Sequence, residues 1–173
     1  MQTKFVEANG LRFEVLEEGT GDRLALCLHG FPEHAISWRY QIPVLAGMGY
    51  RVWAVNQRGY GRTTRPTQGV ALPPDVLAVC TRQITEPGAA TAMLNWYRAI
   101  RLRSSRRLNL AQVIEVPTLV VWGERDVALD PICVNGTERY VRDLTVKRLP
   151  DVSHWVQQDA PQVVNELLQE FLA

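Results

Sequence analysis

The stretch Leu24–Glu33 reads Leu-Ala-Leu-Cys-Leu-His-Gly-Phe-Pro-Glu, and it decides the fold that the sequence predicts. Its first five residues are mostly apolar and too few for a helix, and they run directly into His29, Gly30 and a proline. This pattern predicts a strand buried on both faces that ends in a sharp loop. Open α/β sheets place their sites in such loops, at the carboxyl ends of strands. We therefore expect a functional site near residues 29–33.

The composition is that of a globular domain with a core of useful size: 173 residues, 46% of them hydrophobic and 21% charged. A net charge of +1 gives no reason to expect nucleic acid or an anionic membrane as a partner. We expect neither a secretory signal nor a membrane span, because no apolar run approaches the necessary length. The three cysteines are widely spaced, which favours reduced thiols and a cytoplasmic location.

Strands and helices are predicted to alternate along the chain. Strands are expected at 4–8 and 11–17 around an Asn-Gly turn, and at 24–28, 50–55, 116–122 and 145–149. Helices are expected after an N-cap at Ser37, at 74–84, at 87–100, at 131–140 and from Pro161 onward. This alternation predicts an α/β fold, with a mostly parallel sheet covered by helices on both sides.

Asp126 and His154 are the strongest candidates for chemistry. Each follows a predicted parallel strand, so both belong at the same sheet edge as the loop after Leu28. A carboxylate at that place can hold an imidazole in one tautomer and stabilise its charged form, which makes the histidine a general base. Taken singly, Asp126 could instead cap a loop and His154 could be a packed core residue.

Several motifs carry a family resemblance. His-Gly-Phe-Pro-Glu at 29–33, followed by Ser-Trp-Arg at 37–39 and Gln-Ile-Pro at 41–43, resembles the oxyanion-loop region of the epoxide-hydrolase branch of the α/β-hydrolases. Gly-Glu-Arg-Asp at 123–126 and Ser-His-Trp at 153–155 resemble the acid and histidine motifs of that family. The resemblance implies a truncated α/β-hydrolase core in residues 1–70 and 108–173, with a helical cap remnant at 71–107.

The resemblance also implies roles for further residues. In the family, the backbone N–H of the residue after His-Gly helps to hold a developing oxyanion, and that residue here is Phe31. His29, Gly30 and Trp38 complete the implied oxyanion-loop and substrate-binding set, with His29 shaping the loop. Asn-Trp-Tyr-Arg at 95–98 resembles a cap segment whose tyrosine hydroxyl donates to an epoxide oxygen, which gives Tyr97 that role. A packing role for Tyr97 is the alternative.

The sequence departs from the family at the nucleophile. The fold places its nucleophile in an elbow of the form Gly-x-nucleophile-x-Gly, and no such pattern with Asp, Ser or Cys occurs in these residues. The resemblance breaks off near residue 68 and resumes near residue 72, so we expect an internal deletion near residues 69–71. Cys27, Cys133 and Ser153 are poor substitutes, since none has a suitably placed histidine. No cofactor and no metal site are expected, because the three histidines and three cysteines form no metal-binding motif.

The deletion would remove two strands from the middle of the family's sheet. If the flanking strands paired with each other, Asp126 and His154 would approach the Phe31 loop by about 9–10 Å, at roughly 4.8 Å per strand spacing. If they did not pair, two apolar strand edges would be left open to self-association.

Three functions remain open from the sequence. The leading one is a shortened epoxide-hydrolase-like hydrolase, acting on a small apolar or epoxide-type molecule and impaired by the missing nucleophile. The second is a non-catalytic interaction module that oligomerises through its open strand edges. The third is a relative of esterases or haloalkane dehalogenases, since the elbow residue that separates these activities is missing.

Overall fold

The computed structural model describes residues 1–64, 91–92 and 113–173. The chain divides into two compact units, Met1–Arg106 and Arg107–Ala173. The helix predicted at 74–84, the expected deletion site and Tyr97 lie outside the described residues, and of the helix predicted at 87–100 only residues 91–92 are described, both of them helical. The division into two core parts and a cap remnant therefore stays a prediction.

The first unit contains a four-stranded sheet. Its strands are β1 (Gln2–Ala8), β2 (Leu11–Glu18), β3 (Arg23–Leu28) and β4 (Tyr50–Val55), in the order β1-β2-β4-β3. β1 pairs antiparallel with β2, and β2 with β4, whereas β3 pairs parallel with β4. The hairpin turn between β1 and β2 forms at Asn9 and Gly10, both with positive φ, as the Asn-Gly dipeptide predicts. The four predicted strands of this unit are confirmed to within a residue or two.

The segment between β3 and β4 differs from the prediction in its helix start. A short 3-10 helix occupies Ala35–Trp38, and the α-helix α1 begins only at Ile42 and ends at Gly47. Ser37 is not an N-cap, because it lies inside the 3-10 helix with its side chain buried. Pro43 falls in the first turn of α1, where a missing N–H costs nothing, so this proline does not distort the helix.

The prediction that β3 is buried on both faces is wrong. Leu24, Leu26 and Leu28 are 48%, 53% and 52% exposed, whereas Cys27 on the opposite face is buried. β3 is an edge strand of its sheet, and among the described residues only β4 pairs with it. The continuous apolar run predicted a central strand, but here one face of that strand is open.

The second unit contains two parallel strands, β5 (Thr118–Gly123) and β6 (Leu144–Leu149). The run at 116–122 predicted a buried strand, but β5 is mostly half-buried and is shifted from that range by one to two residues. The helix predicted at 131–140 is replaced by two 3-10 turns, Pro131–Cys133 and Thr137–Arg139. Gly136 between them has a φ of 87°, which is incompatible with a continuous α-helix.

Two helices close the second unit, α2 (Val156–Asp159) and α3 (Pro161–Leu172). α3 begins at the predicted proline and buries Val164, while Val163 of the predicted apolar face is 40% exposed. No helix within the described ranges is long and apolar enough to cross a membrane.

Candidate active site

The Asp126–His154 pair lies entirely within the second unit. His154 Nδ1 is 2.7 Å from Asp126 Oδ2, and the aspartate side chain is 5% exposed against 27% for the histidine. The other carboxylate oxygen of Asp126, Oδ1, accepts backbone N–H bonds from Ala128 and Leu129, each at 2.8 Å. Both oxygens are thus engaged, which fixes the carboxylate and aims it at Nδ1. The pair that the sequence singled out has the geometry of a histidine held by an acid.

The hydrogen bonds at Asp126 also keep its carboxylate charged. Burial by itself would raise the pKa of Asp126, but the hydrogen bonds from His154, Leu129 and Ala128 outweigh burial and lower that pKa below its ordinary value. An ionised acid favours the Nδ1–H tautomer of His154 and stabilises the imidazolium that forms when Nε2 takes a proton. In the described part of the chain, Nε2 makes no hydrogen bond and so is the nitrogen left for that role.

Gly123 is a residue of this site that sequence reasoning missed. It ends β5, and a Cβ built there would lie 2.1 Å from the Ser153 carbonyl oxygen and 2.4 Å from that of Val152. The backbone of the loop that carries Asp126 therefore packs directly against the loop that carries His154. Arg125 N–H donates to the Val152 carbonyl at 3.0 Å across the same junction. The only signal in the sequence was a glycine directly after a predicted strand.

We expect Gly123→Ala to separate the two loops and break the bond between Asp126 and His154. The added Cβ meets backbone rather than a flexible side chain, so the loops must shift at a cost of roughly 1–3 kcal/mol. Nitrogen-15 NMR of the His154 ring measures the outcome as loss of the hydrogen-bonded Nδ1–H. The matched control is Gly47→Ala, where a Cβ meets no atom within 4 Å. An unchanged His154 ring in Gly123→Ala would contradict this account.

His29 is locked into the backbone of the first unit. Its Nδ1 lies 2.8 Å from the Gly30 carbonyl oxygen, and its Nε2 accepts the Gln57 backbone N–H at 3.1 Å. The Gln57 side-chain amide donates back to the His29 carbonyl, so two loops at the carboxyl edge are joined. Because Nε2 must accept, the ring is neutral, and burial lowers the pKa of His29 to about 4. His29 shapes the loop and is not placed to exchange protons with a substrate.

The remaining residues of the implied oxyanion loop lie near the hydrogen bonds that join His29 to Gln57. Gly30 accepts the Glu33 N–H at 3.0 Å, which closes a turn around half-buried Phe31, and the Phe31–Pro32 peptide is cis. Trp38 ends the 3-10 helix and is also half-buried. Tyr60 packs edge-on against the His29 ring at a centroid distance of 4.5 Å.

Glu14, a buried carboxylate that the sequence did not single out, supports the segment that follows β3. Glu14 Oε2 accepts from Asn56 Nδ2 and from the Arg62 backbone N–H, each at 2.8 Å, and Oε1 accepts from Arg62 Nε at 2.6 Å. Asn56 Oδ1 in turn accepts the Ala35 N–H at 2.9 Å. The network therefore connects β2, the loop after β4 and the segment after β3.

Gly61 makes this network possible. Its φ is +53°, and a Cβ built there would lie 2.3 Å from Glu14 Oε2 and 2.4 Å from Asn56 Nδ2. Only a glycine lets the backbone approach the buried carboxylate so closely. Glycines at 59 and 61 indicate a loop after β4, but nothing in the sequence indicates that an acidic residue of the β1–β2 hairpin binds that loop.

The first unit also has an open apolar pocket at this edge of the sheet. It has a volume of about 290 Å³, and its lining comes from β2, the ends of β3 and β4, and the loop after β4: Leu11, Phe13, Leu28, Val55, Gln57 and Arg58. The pocket lies on the face of β3 that carries the exposed leucines. Most of its lining is apolar, and Gln57 and Arg58 are the polar residues that contribute to it.

None of the substitute nucleophiles gains support from the geometry. Cys27 is buried in β3, and burial raises its thiol pKa to about 11, so it is protonated at neutral pH. Cys133 is an exposed free thiol in a 3-10 turn. Ser153 donates its hydroxyl to Asp159 rather than to His154. Among the described residues no group of His, Cys, Asp and Glu is arranged to hold a metal ion.

Comparisons with known proteins agree with this architecture. Residues 26–86 match the family model of the alpha/beta hydrolase fold. Epoxide hydrolase A of Mycobacterium tuberculosis is 52% identical over 64 residues, which are 36% of this chain and 20% of that protein. Bifunctional epoxide hydrolase 2 of Mus musculus is 51% identical over 59 residues, or 34% of this chain and 10% of the mouse protein. These stretches are only a small part of either relative.

A longer alignment and the solved structures cover nearly the whole chain. The AB hydrolase superfamily protein YfhM of Bacillus subtilis is 23% identical over 283 residues, covering 99% of this chain and 98% of that protein. An epoxide hydrolase from metagenomes of hot environments has a TM-score of 0.84 at 21% identity, covering 99% of this chain and 98% of that one. Epoxide hydrolase VrEH1 of Vigna radiata has a TM-score of 0.78 at 19% identity, covering 99% and 97%.

The chain has the α/β-hydrolase fold. Within that class, its resemblance to the epoxide-hydrolase branch is confirmed by the stretches that are about half identical to epoxide hydrolases. The alignment with the Bacillus protein is 283 residues long although this chain has only 173, so that relative contains a long stretch with no counterpart here. Such a stretch agrees with the internal deletion expected near residues 69–71, which stays a prediction.

Proposed function

We propose that this chain is an epoxide-hydrolase-like hydrolase in which the water-activating base is intact and the nucleophile is missing. The observation that carries the proposal is the 2.7 Å contact between His154 Nδ1 and Asp126 Oδ2, with the carboxylate fixed by two backbone N–H groups. A histidine held in this way is a general base for a water molecule at Nε2.

In the intact reaction that this proposal assumes, a carboxylate on the elbow attacks an epoxide carbon and forms an ester. The oxygen released from the ring takes a proton from a cap tyrosine, a role that Tyr97 would fill. His154 then removes a proton from water, and the hydroxide attacks the ester carbonyl and expels the alkoxide. The alkoxide takes the proton back from His154 to give the diol, and the carboxylic acid returns its proton to the tyrosine, so that the carboxylate is regenerated. The Phe31 N–H would help to hold the negative oxygen formed in that second step.

This chain supplies only the second half of that sequence. No Gly-x-nucleophile-x-Gly pattern occurs in it, and half of the oxyanion hole, the N–H after the nucleophile, is missing with it. General-base assistance alone contributes about 10²–10⁴-fold, which is a small part of the acceleration that such enzymes reach. We therefore propose little or no turnover by this polypeptide.

The test is a direct assay of diol formation from a styrene-oxide-type epoxide by the purified chain. We expect no diol above the uncatalysed rate, and no difference between the wild type and His154→Gln. A burst of diol that His154→Gln abolishes would overturn the claim of impairment and would identify His154 as the active base. The His154 ring NMR signal, recorded on the same sample, verifies that the dyad is formed during the assay.

The substrate and the location are part of the same proposal. The apolar pocket of about 290 Å³ on the first unit, whose lining includes Gln57 and Arg58, supports a small and mainly apolar ligand. A cytoplasmic location is supported by the free thiols of Cys27 and Cys133. An esterase or dehalogenase ancestry stays the alternative, and loss of any recovered epoxide activity in Tyr97→Phe would favour the epoxide branch over it.

A further inference from the structure

The two edge strands of the four-stranded sheet differ in how well they are protected against pairing with another strand. β1 forms one edge and carries Lys4 and Glu7, the type of charged residue that opposes edge-to-edge pairing. β3 forms the other edge, and it has no charged residue from Leu24 to Leu28. An edge strand of this kind is a template for pairing with another strand.

The face of β3 that carries its leucines is apolar as well. Leu24, Leu26 and Leu28 are each about half exposed, and their register partners on β4 are Arg51, Trp53 and Val55. Successive side chains of a strand alternate between faces, so the three leucines form one row along the edge. A soluble domain rarely leaves a continuous apolar row open beside an unprotected strand edge.

We infer that two copies of this chain pair through their β3 strands, antiparallel and about a two-fold axis at Leu26, into one continuous sheet of eight strands. The axis places Leu26 opposite Leu26 of the second copy and Leu24 opposite Leu28. The half-exposed leucines of both copies then lie side by side on one face of the joined sheet, where each covers apolar surface of its neighbour.

A second copy suits this edge because the pairing is self-complementary in charge. In the proposed register Ala25 lies opposite Cys27, and Arg23 lies opposite His29 of the other copy. The His29 ring is neutral, with its pKa lowered to about 4 by burial, so Arg23 does not face a second positive charge. No pair of like charges stands directly opposite across the whole strand. A second copy offers both an uncharged strand edge and a matching row of half-exposed leucines, so the edge and the apolar face are covered together.

Light scattering coupled to size-exclusion chromatography tests the oligomeric state. We expect the wild-type chain to have twice its mass of 19.6 kDa at high concentration and to dissociate on dilution. Leu26→Lys places two positive charges together on the axis and should weaken the dimer at least tenfold. The matched control is Thr3→Lys, an exposed residue of β1 at the opposite edge, which should leave the dimer unchanged. Circular dichroism confirms that both variants are folded.

Cross-linking tests the register independently of stability. Directly opposite residues of an antiparallel pair have Cα atoms about 4.5–5.5 Å apart, within the range that a disulfide bridges. In a chain whose natural cysteines at 27, 80 and 133 are replaced by alanine, Leu26→Cys should form a covalent dimer under mild oxidation. Leu24→Cys alone should not, because it lies opposite Leu28, but Leu24→Cys combined with Leu28→Cys should.

Three results would overturn the inference. A monomeric wild-type chain at every concentration would show that a second copy does not bind this edge. A dimer that persists unchanged in folded Leu26→Lys would place the interface elsewhere. Cross-linking of Leu24→Cys alone that equals or exceeds that of Leu26→Cys would reject the proposed register.

Discussion

Glu14→Ala is expected to destabilise the first unit by about 2–3 kcal/mol, the cost of leaving buried hydrogen-bond donors without a partner. The donors are Asn56 Nδ2 and the Arg62 backbone N–H, which both bind Glu14 Oε2. The Arg62 guanidinium contributes less to this cost, because its side chain is 61% exposed and water replaces the carboxylate. A substitution of a solvent-exposed glutamate on a strand rarely changes the stability by this much.

Urea unfolding followed by tryptophan fluorescence, with Trp53 on β4 as one reporter of this unit, measures the loss. Glu7→Ala is the matched control, since Glu7 lies on the neighbouring strand in a 3.8 Å ion pair with Arg12 in which both side chains are well exposed. That pair should contribute less than about 1 kcal/mol. Equal losses in the two variants would mean that the buried network does not hold the unit together.

The second large effect is a loss of stability in acid that originates at His29. Its folded pKa of about 4 lies below the ordinary value of 6.5 because the ring is 3% exposed and Nε2 must stay unprotonated to accept the Gln57 N–H. Below pH 6.5 the unfolded chain takes up a proton that the folded chain does not. Stability therefore falls as the pH drops from about 6.5 to 4, by roughly 3 kcal/mol in total, and this contribution is constant below that.

Two measurements check this expectation. NMR titration should show that the His29 ring remains neutral until the pH approaches 4. The protection factor of the Gln57 amide proton, which corrects its exchange rate for the intrinsic slowing of exchange in acid, should fall over the same range in which stability is lost. His29→Gln should be less stable at pH 7 but should show a flatter dependence on pH between 6.5 and 4. A His29 ring that titrates near pH 6.5 in the folded chain would refute the account in which hydrogen bonds between His29 and Gln57 join the two loops.

The sequence predicted the parts of the fold that depend on local signals. The Asn-Gly hairpin, the strand at 50–55, the glycine end of α1 and the proline start of α3 all follow from turn chemistry and capping at identifiable residues. The 3-10 turns around Gly136 were missed because an apolar spacing alone does not show where a residue takes a positive φ. The exposure of one face of β3 was missed because an apolar run reports what a strand could bury, not whether a neighbour is there to cover it.

The site divides in the same way. Asp126 and His154 could be paired from the sequence, because each directly follows a parallel strand and the edge of the sheet brings such positions together. Glu14, Asn56 and Gly123 could not, because their roles depend on contacts between segments far apart in the chain. Nothing in the alternation of β2 distinguishes Glu14, a buried acceptor of three hydrogen bonds, from a solvated residue of a strand.

The Glu14 network couples the substitutions that can be accepted in three separate segments of the chain. Glu14 lies on β2, and its carboxylate fixes Asn56, which in turn fixes the backbone at Ala35. Gly61 has no room for a side chain while that carboxylate is present. A change at position 14 thus alters which residues are acceptable at 56 and 61, so in a lineage of related chains these positions are constrained to evolve together, even where no catalysis remains to be preserved.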